Sequence, residues 1–143
     1  MTAVIVDTSA IVAARDEAHP EHAAVASVLD DPPGALVVSP LVAAEADYML
    51  AAHFGPRCAQ QFAADVVCDA YELAAWSARD HAAALRVSLR YGNEDYIGMA
   101  DASNVVLADR YRTTQILSLD QRHFRNVQPL WGDGHFTLLP YDR

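Results

Sequence analysis

No lysine occurs anywhere in the 143 residues; every one of the ten basic residues is arginine. That absence excludes Schiff-base chemistry, a phosphate-binding Walker lysine and the active-site lysine of a receiver domain. Positive charge is scarce as well. A net charge of −9 argues against a protein that holds nucleic acid by bulk electrostatics. It leaves room for one that brings phosphate to a bound cation, because the ion then supplies the missing charge. The two cysteines, Cys58 and Cys68, show no short metal-ligand spacing and read as small buried thiols in a reducing compartment. No apolar run approaches the roughly 20 residues of a membrane span. No basic region precedes an apolar stretch at the N-terminus, so a cytoplasmic protein without a secretory signal is expected. The six histidines are scattered. His19 and His22 form the one close pair, no cysteine or third histidine completes a zinc set, and no imidazole is expected beside the first acid of the chain.

What is present is the composition of a globular protein, 52% hydrophobic and 20% charged, of a length that suits one domain. Ala3-Val4-Ile5-Val6 reads as a buried strand that ends at Asp7. Thr8 or Ser9 is expected to cap a short helix to about Ala14, and Pro20 to open a second reaching Asp30. Asp31-Pro32-Pro33-Gly34 stops it, and Ala35 to Val38 is a second strand. Ser39-Pro40 pairs a capping hydroxyl with proline at the first helical position, opening a helix to about His53. Further helices are expected at Arg57 to Val67, Ala75 to Tyr91 and Ile97 to Tyr111. In the second of these, Ala78, Ala82, Leu85 and Leu89 form an apolar stripe opposite Arg79, Arg86 and Arg90. Gly92 serves as its left-handed cap. Short strands are expected at Asp69 to Leu73, at Gln115 to Leu119 ending at Asp120, and at Phe136 to Leu139 after Gly132-Asp133-Gly134. Strands alternate with helices throughout, which predicts an α/β domain with a mainly parallel sheet and helices on both faces.

In such sheets, sites form outside the carboxyl ends of the strands. Asp7 and Asp120 each follow a strand and belong to that rim. Glu45 lies on the helix opened by Ser39, among apolar Leu41, Tyr48 and Met49, so it is expected to interrupt an inward stripe. Asp101 sits in the first turns of its helix, beside Ile97, Asn104 and Val105, and gains from the helix N-terminus. Four converging carboxylates repel, and some take up protons unless a cation intervenes. Oxygen donors without His or Cys select Mg²⁺ or Mn²⁺ over zinc. A metal of that kind lowers the pKa of bound water and neutralises phosphoryl charge, which is the equipment of phosphodiester hydrolysis.

The segments Asp7-Thr8-Ser9-Ala10, Ser39 to Glu45, Met99-Ala100-Asp101-Ala102, and Leu117-Ser118-Leu119-Asp120 followed by Phe124 together resemble a PIN-domain protein. More closely, the chain resembles the VapC toxins of bacterial toxin–antitoxin pairs, over nearly its whole length. The resemblance implies a three-layer PIN-like fold and a Mg²⁺- or Mn²⁺-dependent ribonuclease that cuts structured RNA, such as tRNA or rRNA, and arrests translation. It maps the metal ligands onto Asp7, Glu45, Asp101 and Asp120, and acid-binding hydroxyls onto Ser9 and Ser118. It also implies a homodimer and a VapB-like antitoxin whose C-terminal segment occupies the acidic groove. The region from Gly92 to Tyr96 departs from the family pattern by carrying extra acids, Glu94 and Asp95.

Asp47 lies two residues from Glu45 and faces away from it on a helix, so it reads as a solvated acid. Asp95 reads as a cap of the Asp101 helix. Arg110, Arg112, Arg122 and Arg125 cluster around the Asp120 segment and are the candidates for guiding an RNA backbone, ahead of the Arg79, Arg86, Arg90 row. A haloacid-dehalogenase phosphatase needs a second Asp where Ser9 stands. The non-enzyme alternative is a PIN-like binding module with a weak or inactive site, against which the presence of all four acids argues.

Overall fold

The computed structural model describes residues 2–132 and 134–143, so the turn expectation at Asp133 lies outside the described residues. Five strands form one sheet, β1 (Ala3–Val6), β2 (Ala35–Val38), β3 (Glu72–Leu73), β4 (Gln115–Leu117) and β5 (Thr137–Leu139). Their order is β3-β2-β1-β4-β5, and every neighbouring pair is parallel. The chain builds outward from β1 on one side and then returns to β1's other edge with β4. Strand order therefore reverses between β1 and β4, and the crevice at their carboxyl ends is the natural ligand position of an open α/β sheet.

All four residues of β1 are buried, which is why an uninterrupted β-branched run specifies it. Side chains alternate across the sheet. Ala3, Ile5, Val37, Ile116 and Leu138 pack on one face against α5 (Ala78–Arg90), α6 (Met99–Arg110) and α7 (Gln121–Phe124). Val4, Val6, Val38, Leu117 and Leu139 pack on the other, against α1 (Thr8–Arg15), α2 (His22–Asp30), α3 (Pro40–Phe54) and α4 (Pro56–Val67). This is the three-layer arrangement expected.

The Ser39-Pro40 signal works as read, with Ser39 Oγ accepting from Leu41 N at 3.1 Å. At α5, Ser77 and Asp80 satisfy each other's backbone amides in a capping box, which moves the helix start three residues past the expected Ala75. Gly92 has φ 71°, as its capping position requires. Elsewhere the structure corrects the expectations. The N-cap position of α1 is Asp7 itself, and neither Thr8 nor Ser9 caps it. Helix α2 begins at His22 rather than Pro20. The inward face of α5 is Ala84, Val87 and Ser88, while Leu85 and Leu89 are 50% and 70% exposed. The expected stripe is thus an outward face, opening with Trp76 and Met99 onto an apolar surface pocket. The difference is one of phase, because alanines lie on both sides of that helix and both of its leucines fall on the outward one. On α3 the inward residues are Val42, Ala46 and Leu50, so Glu45 and Tyr48 are exposed and interrupt no inward stripe.

Candidate metal centre

The alternation that turns Ala3 and Ile5 toward α6 continues one step past the strand to Asp7. Its Oδ1 accepts from Asn104 Nδ2 of α6 at 3.0 Å. Ser118 continues the Ile116 face of β4 in the same way, and its hydroxyl donates to Asp7 Oδ2 at 2.7 Å. Ser39 continues the Val37 face and meets Ser103 of α6 at 2.7 Å. Two strand ends thus deliver a polar group to α6, the third delivers Ser118 to Asp7, and α6 lies across the rim they form. Ser9, a turn after Asp7, donates to Asp7 Oδ2 at 3.2 Å and accepts from Leu119 N at 2.9 Å, tying the start of α1 to the end of β4. Ser118 Oγ also accepts from Asp120 N at 3.0 Å.

Asp7 is 4% exposed. Burial raises its pKa, against the lowering effects of the Ser118 hydroxyl, the Thr8 amide and the Ser9 hydroxyl, and the charge of Asp120 raises it further. Asp101, half-buried in the first turn of α6, is pushed up to about 7 by desolvation and then by the charges of Asp7 and Asp120. His123 opposes that shift, and Glu45 adds weakly to it. The backbone fold therefore sets carboxylates against one another more closely than bare solvation sustains.

Asp7, Glu45, Asp101 and Asp120 line one groove of about 300 Å³, together with Ser9, Thr8, Met49 and Met99. All four expected acids are brought together. Ser9 and Ser118 bond Asp7 as the resemblance implied.

Two neighbours went unread in the sequence. His123 Nδ1 lies 2.7 Å from Asp120 Oδ2 and 3.4 Å from Asp101 Oδ2, so an imidazole does enter the site. Asp120 is the N-cap of α7 and its Oδ1 accepts from His123 N at 3.1 Å, which fixes the residue three positions on beside it. That i, i+3 relation was the available signal. Asn104 stands in the same relation to Asp101, on the buried side of α6, and orients Asp7.

The donor chemistry fits a divalent cation. Single ligand atoms of Asp101, Asp120 and His123 lie within 4.8 Å of one another, and Asp7 and Glu45 add oxygens to the same groove. Thr8 Oγ1, in the groove wall, is buried with no partner among the described residues. An ion would offset the mutual repulsion of these carboxylates and would displace the proton that burial and neighbouring charge favour on Asp101.

The arginines fare differently. Arg110 pairs with Asp80 at 2.8 Å and donates to the Ala75 carbonyl, Arg112 pairs with Asp109 at 3.0 Å, and Arg125 forms a two-pronged clamp on Asp142 at 2.6 and 2.7 Å. Those three are occupied in the fold. Arg122 makes no ion pair among the described residues and stands next to His123. His19 and His22 are used locally, bonding Glu21 N and the Ala13 carbonyl. Asp47 is exposed and is not among the residues lining the groove. No helix among the described residues is long and apolar enough to cross a membrane.

Known proteins supply an independent line. Residues 4–129 match the family model described as PIN domain. The chain is 46% identical over 137 residues to Ribonuclease VapC26 of Mycobacterium tuberculosis (strain ATCC 25618 / H37Rv), covering 96% of this chain and all of that one. Its fold superposes on Mycobacterium tuberculosis VapC20, described as a Sarcin-Ricin loop cleaving toxin, with a TM-score of 0.76 at 18% identity, over 84% of this chain and 92% of that one. A chain of Rickettsia felis VapBC2, solved on a fragment of promoter DNA, matches with a TM-score of 0.63 at 15% identity, over 88% and 93%. The chain belongs to the PIN domain family and, within it, to the VapC proteins.

Proposed function

We propose that this protein is a Mg²⁺- or Mn²⁺-dependent endoribonuclease acting on structured RNA, the toxin of a pair whose partner is a VapB-like antitoxin. The observation that carries it is the meeting of Asp7, Glu45, Asp101 and Asp120 in one groove at the carboxyl ends of β1 and β4. A relative of nearly half-identical sequence is called a ribonuclease, which supports the same reading.

Asp7, Asp101, Asp120 and Glu45 would hold the ion. When bound, it supplies a water of lowered pKa and neutralises charge on a phosphoryl oxygen. The chain's own residues set the geometry. Ser118, Ser9 and Asn104 fix both oxygens of Asp7, while His123 Nδ1 lies within 3.4 Å of an oxygen of Asp101 and 2.7 Å of one of Asp120. The exposed position of Glu45, on the far wall, leaves the groove open to an RNA backbone. An antitoxin segment with a basic side chain is the complementary inhibitor, since the groove presents four acids and no arginine among the described residues that line it.

Metal binding is the direct test. Saturating Mn²⁺ or Mg²⁺, at about 100 times Kd, stabilises the native state by about 2.7 kcal/mol. For a chain of this size that is a rise of roughly 5–10 °C in Tm. The rise should shrink as pH falls below about 7, where Asp101 binds a proton in competition. RNA cleavage should stop in chelator. A melting temperature indifferent to both ions, with cleavage unaffected by chelator, would sink the metal reading in favour of the binding module.

Ser118→Ala tests the support of Asp7 separately. It strips a hydrogen bond from a buried carboxylate and an acceptor from Asp120 N. Cleavage should fall about 10–100-fold, as on removing the partners of a metal ligand, and stability by about 1–2 kcal/mol. Activity within twofold of the parent would show that Ser118 only packs.

A further inference from the structure

His123 is a shared wall. On one side it meets Asp101 and Asp120; on the other it lines a second cavity of about 500 Å³, separate from the acidic groove. That volume lies in the range of small-ligand sites and holds a nucleotide. Around it stand Tyr96, Arg122, Glu94 and Asp95, with Tyr91 behind them. We infer that this cavity is the subsite for the nucleotide flanking the cleaved phosphodiester, and that it prefers a base with donors on its Watson–Crick edge, guanine above uracil. The inference rests on the nuclease reading above and adds a substrate preference to it.

The charges give the cavity a direction. Arg122 is adjacent to His123 on α7 and makes no ion pair among the described residues, whereas Arg110, Arg112 and Arg125 are each clamped to an acid. Its guanidinium is thus available to a phosphate, and its neighbour His123 joins this part of the lining to the acids of the groove. The lining also includes Glu94 and Asp95, from the loop before α6, both exposed and both without an ion pair among the described residues. Carboxylates repel phosphate and accept from base edges. Guanine offers a ring N–H and an exocyclic amine side by side, matching the two oxygens of one carboxylate. Uracil offers a single ring N–H between two carbonyls, which face the carboxylate unfavourably. The acids of the Gly92 to Tyr96 region, which have no place in the metal centre, thereby acquire a task.

Tyr96 supplies the remaining requirement. It is 58% exposed, although the next residue, Ile97, is buried at 2%. An anchored loop thus holds a large aromatic face in water at the cavity mouth, a stacking surface for an unpaired base. The wall behind is held in place, because the Tyr91 hydroxyl accepts from Gln128 N at 3.0 Å. Asn126 braces Arg122 from below by donating to its carbonyl at 2.6 Å.

The test uses the full chain in chelator and 5′-phosphorylated dinucleotides, which bind without being cut because hydrolysis lacks its ion, with one sequence for each base at the probed position. Calorimetric titration should show the guanine dinucleotide binding about 10-fold more tightly than the uracil one. Tyr96→Ala should weaken every dinucleotide about 10-fold. Arg122→Gln should weaken all of them alike and flatten the salt dependence by about one phosphate contact. Combined Glu94→Gln and Asp95→Asn should erase the guanine preference while leaving uracil binding unchanged. Each altered side chain is exposed, so melting temperatures should match the parent. Equal affinity for all bases in the parent, or affinity indifferent to Tyr96→Ala and Arg122→Gln, would overturn the subsite. Cleavage of a mixed-sequence RNA separates the two claims. Variants that cut at the parent's positions overturn the subsite and leave the nuclease standing. A parent that binds the guanine dinucleotide selectively yet cuts no RNA overturns the nuclease reading and keeps the subsite.

Discussion

Asp101→Asn should abolish RNA cleavage and, in the same protein without metal, raise the melting temperature. The two effects have one cause. The Asp101 carboxyl is largely withdrawn from solvent and faces the charges of Asp7 and Asp120, which push it up to about 7. A carboxyl whose pKa is raised on folding contributes against the native state once it ionises. The sign follows from proton binding. Below the unfolded value of about 3.9 the group is protonated in both states and contributes nothing. As pH rises toward 7 the unfolded chain ionises first, the native state keeps the proton, and stability falls. Asparagine, neutral throughout, escapes that loss. The variant's advantage should be near zero at pH 4, grow through pH 7 and level off above it, at on the order of 2–4 kcal/mol. Activity should drop by at least about 100-fold, since a lost ligand removes several kcal/mol of charge stabilisation. Urea melts from pH 4 to 8 in chelator, paired with cleavage assays in Mn²⁺, check both halves. Parental activity in the variant would remove Asp101 from the reaction, and a pH-independent difference would remove the buried charge from the account.

Gly34→Ala should be the most damaging small substitution at the far end of the sheet. Gly34 has no positive φ, so its requirement is space. A Cβ there would stand 1.6 Å from the Thr2 carbonyl oxygen and 2.5 Å from its carbon. Those are backbone atoms and cannot rotate aside. The same carbonyl accepts from Ala35 N at 3.1 Å, just where Ala3 and Ala35 set the register of β1 against β2. The methyl must therefore push apart the pair of strands that carries Asp7 and leads into the Glu45 helix. Overpacking of this kind costs about 3 kcal/mol, or roughly 10 °C of Tm. Thermal melts check it, and a change below about 1 kcal/mol would mean that the N-terminal residues yield freely. Because the lesion lies at the amino ends of the strands and the acids at the carboxyl ends, cleavage per folded molecule should survive at low temperature.

The contrast between these two positions shows what the chain made legible. Asp7 could be read because a charge after three buried β-branched residues has few bland explanations, and Asp120 because it repeats the pattern after Gln115 to Leu119. Parallel strands then place both on one rim without any knowledge of contacts. Glu45 was brought to the right groove by a mistaken route, since α3 turns Val42, Ala46 and Leu50 inward and leaves the acid on the open side. The phase of a helix rich in alanine is poorly marked, and α5 failed for the same reason at Leu85 and Leu89. His123 was missed because its significance depends on Asp120 becoming an N-cap, a local bond that composition does not announce. The pairing of Arg110 and Arg125 was invisible too, because Asp80 and Asp142 lie 30 and 17 residues away from their partners, whereas Arg112 pairs with Asp109 only three residues away.

The sheet that aligns the strand ends also divides the interior. Ile5 belongs to the apolar set facing α5 and α6, whereas its neighbours Val4 and Val6 belong to the set facing α1 to α4. A cavity cut on one side has no side chain in common with a cavity on the other, so losses on opposite faces should add, and losses on one face should couple. The rim crosses the partition, since Asp7 takes hydrogen bonds from α6, from the end of β4 and from the first turn of α1. Energetically the acidic groove is the seam where two otherwise independent halves of the molecule register each other's changes.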